Sequence, residues 1–317
     1  SVTVNGDVSK EPNETFFINL SNAVNANIAD GQAAGVIIDE DRAYTSDFDN
    51  DKIADYTIYR PGTNVWYILQ STNGIPKILT FGAAGDIVTP GDYDADGVAD
   101  YAVFRPSDAT WYIIQSSNSA VISIPFGQST DKPVQGDFDG DGKTDAAVYR
   151  PSSGTWNIRQ SSNGQTLTVQ FGISTDLPVQ GDYDGDGKTD LAVFRDGIWY
   201  ILRSSNGSVS IVSWGLAGDQ PVPGDFDGDG KTDLAIFRNG IWWITNSLAG
   251  DYYALSWGLP DDVTAVADYD GDGTSDVAVF RPSDGIWYIH KSSDGNITGV
   301  KWGITGDIPI PHAYLPQ

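Results

Sequence analysis

The chain of 317 residues contains no cysteine and no methionine, only two histidines, and 18 basic residues against 43 acidic ones. The lack of cysteine excludes disulfides, thiolate chemistry and cysteine-ligated zinc. A net charge of −25 leaves no basic footprint for nucleic acid. No apolar run approaches the roughly 18 residues of a membrane-spanning helix, so no membrane insertion is expected. No segment repeats its apolar residues with a helical period. Without methionine, Ser1 is not a translation start, and a processed chain or a fragment is expected. Enzyme signatures are missing as well. His290 and His312 each stand alone, and no G-x-S-x-G, H-E-x-x-H or phosphate loop occurs. A non-enzymatic protein is expected.

What the chain does have is aspartate in a fixed pattern. Asp182, Asp184, Asp186 and Asp190 fill positions 1, 3, 5 and 9 of a nine-residue loop, with Gly187 at position 6. Carboxylates crowded this closely need a charge to cancel them. Ca²⁺ takes about six to eight oxygens in a flexible shell, which such loops supply from alternate residues and one backbone carbonyl. Gly187 permits the sharp turn, and the carbonyl would come from Lys188 at position 7. Sites of this kind point outside the cytosol, where calcium is abundant.

The loop recurs six times, starting at Asp47, Asp92, Asp137, Asp182, Asp225 and Asp268. The spacings are 45, 45, 45, 43 and 43 residues. The shortening falls in a turn, where Arg150-Pro-Ser-Ser-Gly154 becomes Arg195-Asp-Gly197 and Arg238-Asn-Gly240. Each repeat reads as four short strands. The first runs into the loop and the second leaves it. The third carries Trp66, Trp111, Trp156, Trp199, Trp242 or Trp287, and the fourth ends in an aromatic–glycine pair. Four strands per repeat of this length is the signature of a propeller blade. The predicted fold is all-β, a propeller of six four-stranded blades. The six loops hold 24 aspartates. Six bound Ca²⁺ would add +12 and leave −13.

The wording of the repeat, Asp182-Tyr-Asp-Gly-Asp-Gly-Lys-Thr-Asp190 followed by Leu-Ala-Val-Phe-Arg195, Trp199 and Trp214-Gly215, resembles the FG-GAP/VCBS repeat family over about four-fifths of the chain. That resemblance implies Ca²⁺ between the first two strands of each blade. It implies as ligands Asp47, Asp49, Asp51, Asp55 and the Ile53 carbonyl, then Asp92, Asp94, Asp96, Asp100 and Val98. The third to sixth sets are Asp137, Asp139, Asp141, Asp145 and Lys143; Asp182, Asp184, Asp186, Asp190 and Lys188; Asp225, Asp227, Asp229, Asp233 and Lys231; and Asp268, Asp270, Asp272, Asp276 and Thr274. The second loop has Ala95 at position 4. The first has Lys52 where glycine is wanted, and is expected to be the weakest site. Such a set of protein oxygens leaves little room for a substrate, so the loops read as structural. The family implies surface or secreted proteins, adhesins, integrin-type heads and fungal lectins among them.

Residues 1–41 read differently from residues 42–317. Ser1–Asp7, Glu14–Leu20 and Gly35–Asp39 alternate as strands. Glu11-Pro-Asn-Glu-Thr-Phe-Phe-Ile-Asn-Leu20 and Gly35-Val-Ile-Ile-Asp39 resemble the C-terminal part of a Calx-beta domain, a β-sandwich module. Beside these repeats it implies a bacterial surface or secreted architecture. Three strands of a sandwich would leave Phe16, Phe17, Ile18, Val36, Ile37 and Ile38 facing water, with open edges. Self-association into a head-to-tail filament, or contact with other surface proteins, is expected. Glycans are the alternative partner, through a lectin-type propeller with exposed aromatics between blades.

Two repeated features read as structural. The arginines closing the second strands, Arg60, Arg105, Arg150, Arg195, Arg238 and Arg281, are expected to pack on tryptophan or pair with an acid. The third-strand tryptophans are expected in blade cores. Finally, Gly306-Asp-Ile-Pro-Ile-Pro-His-Ala-Tyr-Leu315 repeats a first strand without its loop aspartates, and competes with Ala43–Ser46 to close the ring.

Overall fold

The computed structural model of the chain describes residues 14–19, 32–37 and 46–311. Residues 46–311 form six four-stranded antiparallel sheets arranged as a β-propeller, with no α-helix among the described residues. The fourth blade shows the plan. Its strands are Leu177–Pro178, Leu191–Arg195, Ile198–Leu202 and Val209–Ser213, paired in that order. The second strand is buried almost throughout, because both of its faces meet a neighbouring blade. The third alternates, with Trp199 and Ile201 buried. The fourth is largely exposed and forms the outer edge.

Each third-strand tryptophan is fully buried. Its indole N–H donates to the carbonyl of the aromatic residue ending the fourth strand, as Trp199 does to Trp214 at 2.8 Å. The same bond occurs in all six blades. A buried indole thus finds its partner inside its own blade, and the tryptophans are core, as expected. The apolar clusters lie between consecutive blades. One joins Val179, Trp199 and Ile201 of the fourth to Leu234 and Ile236 of the fifth. Another joins Trp287 and Phe280 of the sixth to Ile58 of the first.

The arginines pair with acids that sequence reasoning had not singled out. Asp86, Asp131, Asp176, Asp219, Asp262 and Asp307 stand just before the first strands. In five blades the arginine donates to both carboxylate oxygens at 2.6–2.9 Å. Arg238 and Asp219 make the sixth pair. Each carboxylate also accepts the backbone N–H three residues before it, as Asp176 does from Ile173. The aromatic ring over the arginine is tyrosine, not tryptophan. Tyr67, Tyr112, Tyr200 and Tyr288 lie 4.2–4.6 Å from the guanidinium carbon.

The C-terminal strand closes the ring. Ile308–Pro309 pairs with Tyr59 and Ile58 and supplies the first strand of blade one. Asp307 is the acid for Arg60, and the Trp302 indole donates to the Tyr67 carbonyl at 3.2 Å. Ser46 takes over where that strand leaves off: its carbonyl accepts the Asp55 N–H at 2.9 Å, as Gly181 does from Asp190. Ser46 and Ile308–Pro309 therefore share one strand position. Residues 43–45 and 312–315 lie outside the described residues. Strands Glu14–Asn19 and Gln32–Ile37 form an antiparallel pair, in which Phe17 is 56% and Ile18 42% exposed. The strand expected at 1–7 lies outside the described residues.

Arg60→Ala leaves the Asp307 carboxylate buried without its partner. Breaking a buried pair costs about 3–5 kcal/mol, and the quarter exposure of Arg60 places this one at roughly 2–4 kcal/mol. Urea unfolding measures it. A loss below about 0.5 kcal/mol, typical of a surface pair, would show that the clamp does not hold the ring shut.

Candidate metal centres

Each loop sits between the first and second strands of its blade and is pinned from three sides. Position 2 is aromatic and buried: Phe48, Tyr93, Phe138, Tyr183, Phe226 and Tyr269. It anchors the loop against the core, with Tyr183 and Trp199 edge to face. Position 9 joins loop to blade. The Asp190 Oδ2 accepts the Tyr183 N–H, and its Oδ1 accepts the Ser204 N–H at 2.6 Å from the turn after the third strand. Asp55, Asp100, Asp145, Asp233 and Asp276 bond likewise. The third anchor is the next blade. The position-8 N–H donates to the position-1 carbonyl of the preceding loop in all six cases, including Ala54 to Asp268 at 2.7 Å.

Within the loop, the position-1 carboxylate accepts backbone N–H groups, as Asp182 does from Gly185 and Gly187. The Asp47, Asp92, Asp137, Asp225 and Asp268 carboxylates repeat this. At position 5, Asp51, Asp96, Asp141, Asp186, Asp229 and Asp272 accept the N–H of Ile53, Val98, Lys143, Lys188, Lys231 and Thr274. The serines after the third strand bond the outer oxygens, as Ser204 does to Asp186 and Ser205 to Asp184. The serine pair repeats in phase with the loops in four blades, at 116–117, 161–162, 204–205 and 292–293, a signal the sequence carried.

The structure brings the predicted carboxylates together. Ligand oxygens lie within 4.8 Å of one another for Asp47, Asp49 and Asp55, for Asp137, Asp139 and Asp145, and for Asp182, Asp184 and Asp190. In two loops position 5 takes the third place: Asp92, Asp94 and Asp96, and Asp225, Asp227 and Asp229. At position 3, the Oδ1 atoms of Asp49, Asp94, Asp139, Asp184 and Asp270 are buried and accept no hydrogen bond. A buried carboxylate oxygen with no partner is costly. A hard cation fits these residues, since it satisfies that oxygen and the crowded charge together. Asp227 differs, because its Oδ1 accepts the Asp229 N–H at 3.1 Å.

Two positions in each loop are left-handed, where only position 6 had been read as needing glycine. Lys52 at position 6 has φ 65°, and Ala95 at position 4 has φ 62°. Both keep the loop's bonds, Lys52 N–H to Asp47 at 2.8 Å and Ala95 N–H to Asp92 at 2.7 Å. They hold a conformation that costs an L-residue about 1–2 kcal/mol.

Residues 182–236, from the fourth loop into the second strand of blade five, match the FG-GAP-like repeat family model. No curated protein sequence matches the chain. Among solved structures, TolB from Acinetobacter baumannii is similar at a TM-score of 0.57 and 17% identity, over 80% of this chain. The match spans 65% of TolB's length. Virginiamycin B lyase from Staphylococcus aureus is similar at 0.52 and 10%, over 82% of this chain and 88% of its own. An Agrocybe aegerita lectin, described as recognising non-reducing terminal N-acetylglucosamine, is similar at 0.51 and 14%, over 83% and 79%. At these identities the likeness is one of fold.

Burial pushes the position-9 carboxylates up, Asp55 to about 7 and Asp100, Asp145, Asp190, Asp233 and Asp276 to about 6. An acid whose folded pKa is raised binds protons more tightly when folded. Its stabilisation is complete below the unfolded value near 4 and is lost as pH rises through the folded value. With a chelator present, the melting temperature should therefore fall as pH is raised from about 4 to 7.5. Excess Ca²⁺ should flatten or reverse that slope, because binding requires the deprotonated form. Thermal melts across this range decide it, and identical slopes with and without Ca²⁺ would contradict the assignment.

Proposed function

We propose that this chain is a non-catalytic, calcium-stabilised propeller serving as a structural or adhesive module at a cell surface. The supporting observation is the set of five buried position-3 oxygens with no hydrogen-bond partner. Loops of alternating aspartates with backbone carbonyls suit Ca²⁺ better than the smaller Mg²⁺, which demands a near-ideal octahedron. When bound, the ion supplies positive charge at each blade's loop. The residues holding it would be the position 1, 3, 5 and 9 aspartates with the position-7 carbonyls. An extracellular setting follows from the calcium requirement and agrees with the FG-GAP-like match at 182–236.

Calorimetry tests the metal. Up to six Ca²⁺ should bind, the Asp47 site most weakly, and chelation should lower the melting temperature strongly. Lys52→Gly should tighten that one site by relieving its left-handed lysine, an effect of about 1 kcal/mol. An unchanged melt on chelation would end the calcium reading.

The strand pair Glu14–Asn19 and Gln32–Ile37 supports self-association. A two-stranded sheet is marginal alone, and Phe17 and Ile18 are exposed on it. Its proposed origin is the end of a Calx-beta-type sandwich, completed by another copy in a head-to-tail filament. Negative-stain microscopy should show regular fibres. Discrete monomers with a protease-sensitive N-terminus would instead make it a plain segment of a larger module.

The second reading, glycan binding, is favoured by two cavities between blades. One lies against Trp214, Trp243 and Arg238. The other lies against Tyr253, His290 and Lys291. Exposed aromatics beside polar groups are what a sugar site requires. The similar lectin fold carries no more than compatibility with this reading.

A further inference from the structure

We propose that the crevice between blades five and six, on the face of the aspartate loops, is a binding site for a neutral saccharide. It rests on the glycan reading and assigns that reading a place.

The crevice has a volume of about 370 Å³, within the roughly 300–1,000 Å³ of small-molecule sites. Its walls carry Tyr253, Leu255, Asp272, His290, Lys291 and Ser292. Among the described residues, neither the Tyr253 hydroxyl nor the His290 ring makes a hydrogen bond. The imidazole instead lies edge to face against Trp257, ring centroids 5.5 Å apart.

The pair belongs to this interface alone. Tyr253 stands opposite Ile244 in register, and its equivalents are Lys77, Ile122, Leu167, Ser210 and Thr298. His290 ends the third strand of blade six, where the other blades place Leu69, Ile114, Arg159, Leu202 and Thr245. Across the interface between blades three and four, for example, the same two positions hold Leu167 and Leu202. Only between blades five and six do they hold a phenol and an imidazole. The other five interfaces each hold a different pair at these positions, so neither residue is needed to build the ring.

The lining selects the ligand. The Tyr253 ring offers a face for the C–H side of a pyranose. Its hydroxyl, the imidazole and the Lys291 ammonium offer hydrogen bonds to sugar hydroxyls. The chain's charge of −25 stays negative even with six Ca²⁺ bound, which disfavours an acidic sugar.

The cavity between blades four and five suits a sugar less well. It has about 220 Å³. The Trp214 indole is already bonded to the Trp243 carbonyl, and Arg238 is held on both sides by Asp219.

The test is an array of neutral oligosaccharides probed with the full chain in calcium buffer. It compares the wild type with Tyr253→Ser combined with His290→Leu, residues that blades four and one carry at these positions. Lys291→Gln, the residue of blades one to three, is a surface change that leaves the fold intact. The double variant should lose at least tenfold in binding, and Lys291→Gln should also bind more weakly. If the wild type binds and all variants bind equally, the glycan reading stands and this site is wrong. If the wild type binds no neutral glycan, both fall.

Discussion

The fold depends on a ring of six backbone hydrogen bonds that no single blade can make. Each joins the position-8 N–H of one aspartate loop to the position-1 carbonyl of the loop before it. The residue whose carboxylate gathers its own loop's N–H groups is thus the residue whose main chain holds the next blade. This bond brings the loops so close that side-chain size matters. A Cβ added at Gly181 would meet the Thr232 Oγ1 at 2.7 Å. Gly91 and Gly136 stand in the same relation to Thr144 and Thr189. The two loops preceded by a residue with a Cβ, at Ser46 and Ala267, are those whose following neighbours carry alanine at position 8, Ala99 and Ala54. Room lost on one side of the joint is restored on the other.

Closure has the same logic on the opposite face. Each bidentate arginine–aspartate pair ties the end of a second strand to the start of the first strand beside it. In blade one the partners lie 247 residues apart. A pair that is local bracing in five blades becomes, in the sixth position, the clamp between the two ends of the propeller chain. Its acid accepts a backbone N–H as well, so both carboxylate oxygens keep partners while the side chain is removed from water.

The propeller was legible in the sequence because its signals are local and repeated. Loop spacing, one tryptophan per repeat and the aromatic–glycine endings each fix a strand without knowledge of its neighbours. The carboxylate clusters were legible for the same reason. What sequence reading missed lies between repeats. Asp86, Asp131, Asp176, Asp219 and Asp262 stand six residues ahead of a loop, and Asp307 six ahead of Ala313. In a chain this acidic they passed as surface charge, since nothing local reveals that an arginine 19 residues later turns back on them. Lys52 and Ala95 show a related limit. Glycine at positions 4 and 6 of the other loops encodes a left-handed backbone, and the loop keeps that backbone where the glycine is gone, because the position-1 carboxylate still gathers its N–H groups. The closing strand had no local answer either, because Ile308–Pro309 and Ser46 divide the position between them.

Exact repetition and departure from it carry different information. Six arginine pairs, six buried tryptophans and six loop joints answer one geometric demand made six times, so their chemistry, however rich in charge, is that of construction. The loop carboxylates show how far this goes. Burial raises their pKa values, which in a cleft would mark catalytic acids, yet here the shift repeats at every position 9 and follows from packing the loop onto its blade. Chemistry directed outward has to break the symmetry, because a ligand meets the ring at one place. Trp243 replaces the tyrosine that covers arginine in four blades, and Tyr253 with His290 stands where the other interfaces hold Lys77 with Ile114, Ile122 with Arg159, Leu167 with Leu202, Ser210 with Thr245 and Thr298 with Leu69. Both departures fall on blade five or its border with blade six. The fifth loop is also where the position-3 carboxylate turns inward, its Oδ1 bonded to the Asp229 N–H, and where the turn after the third strand loses its second serine to Leu248. Blade five and its border with blade six therefore gather several of the ring's departures from its repeat.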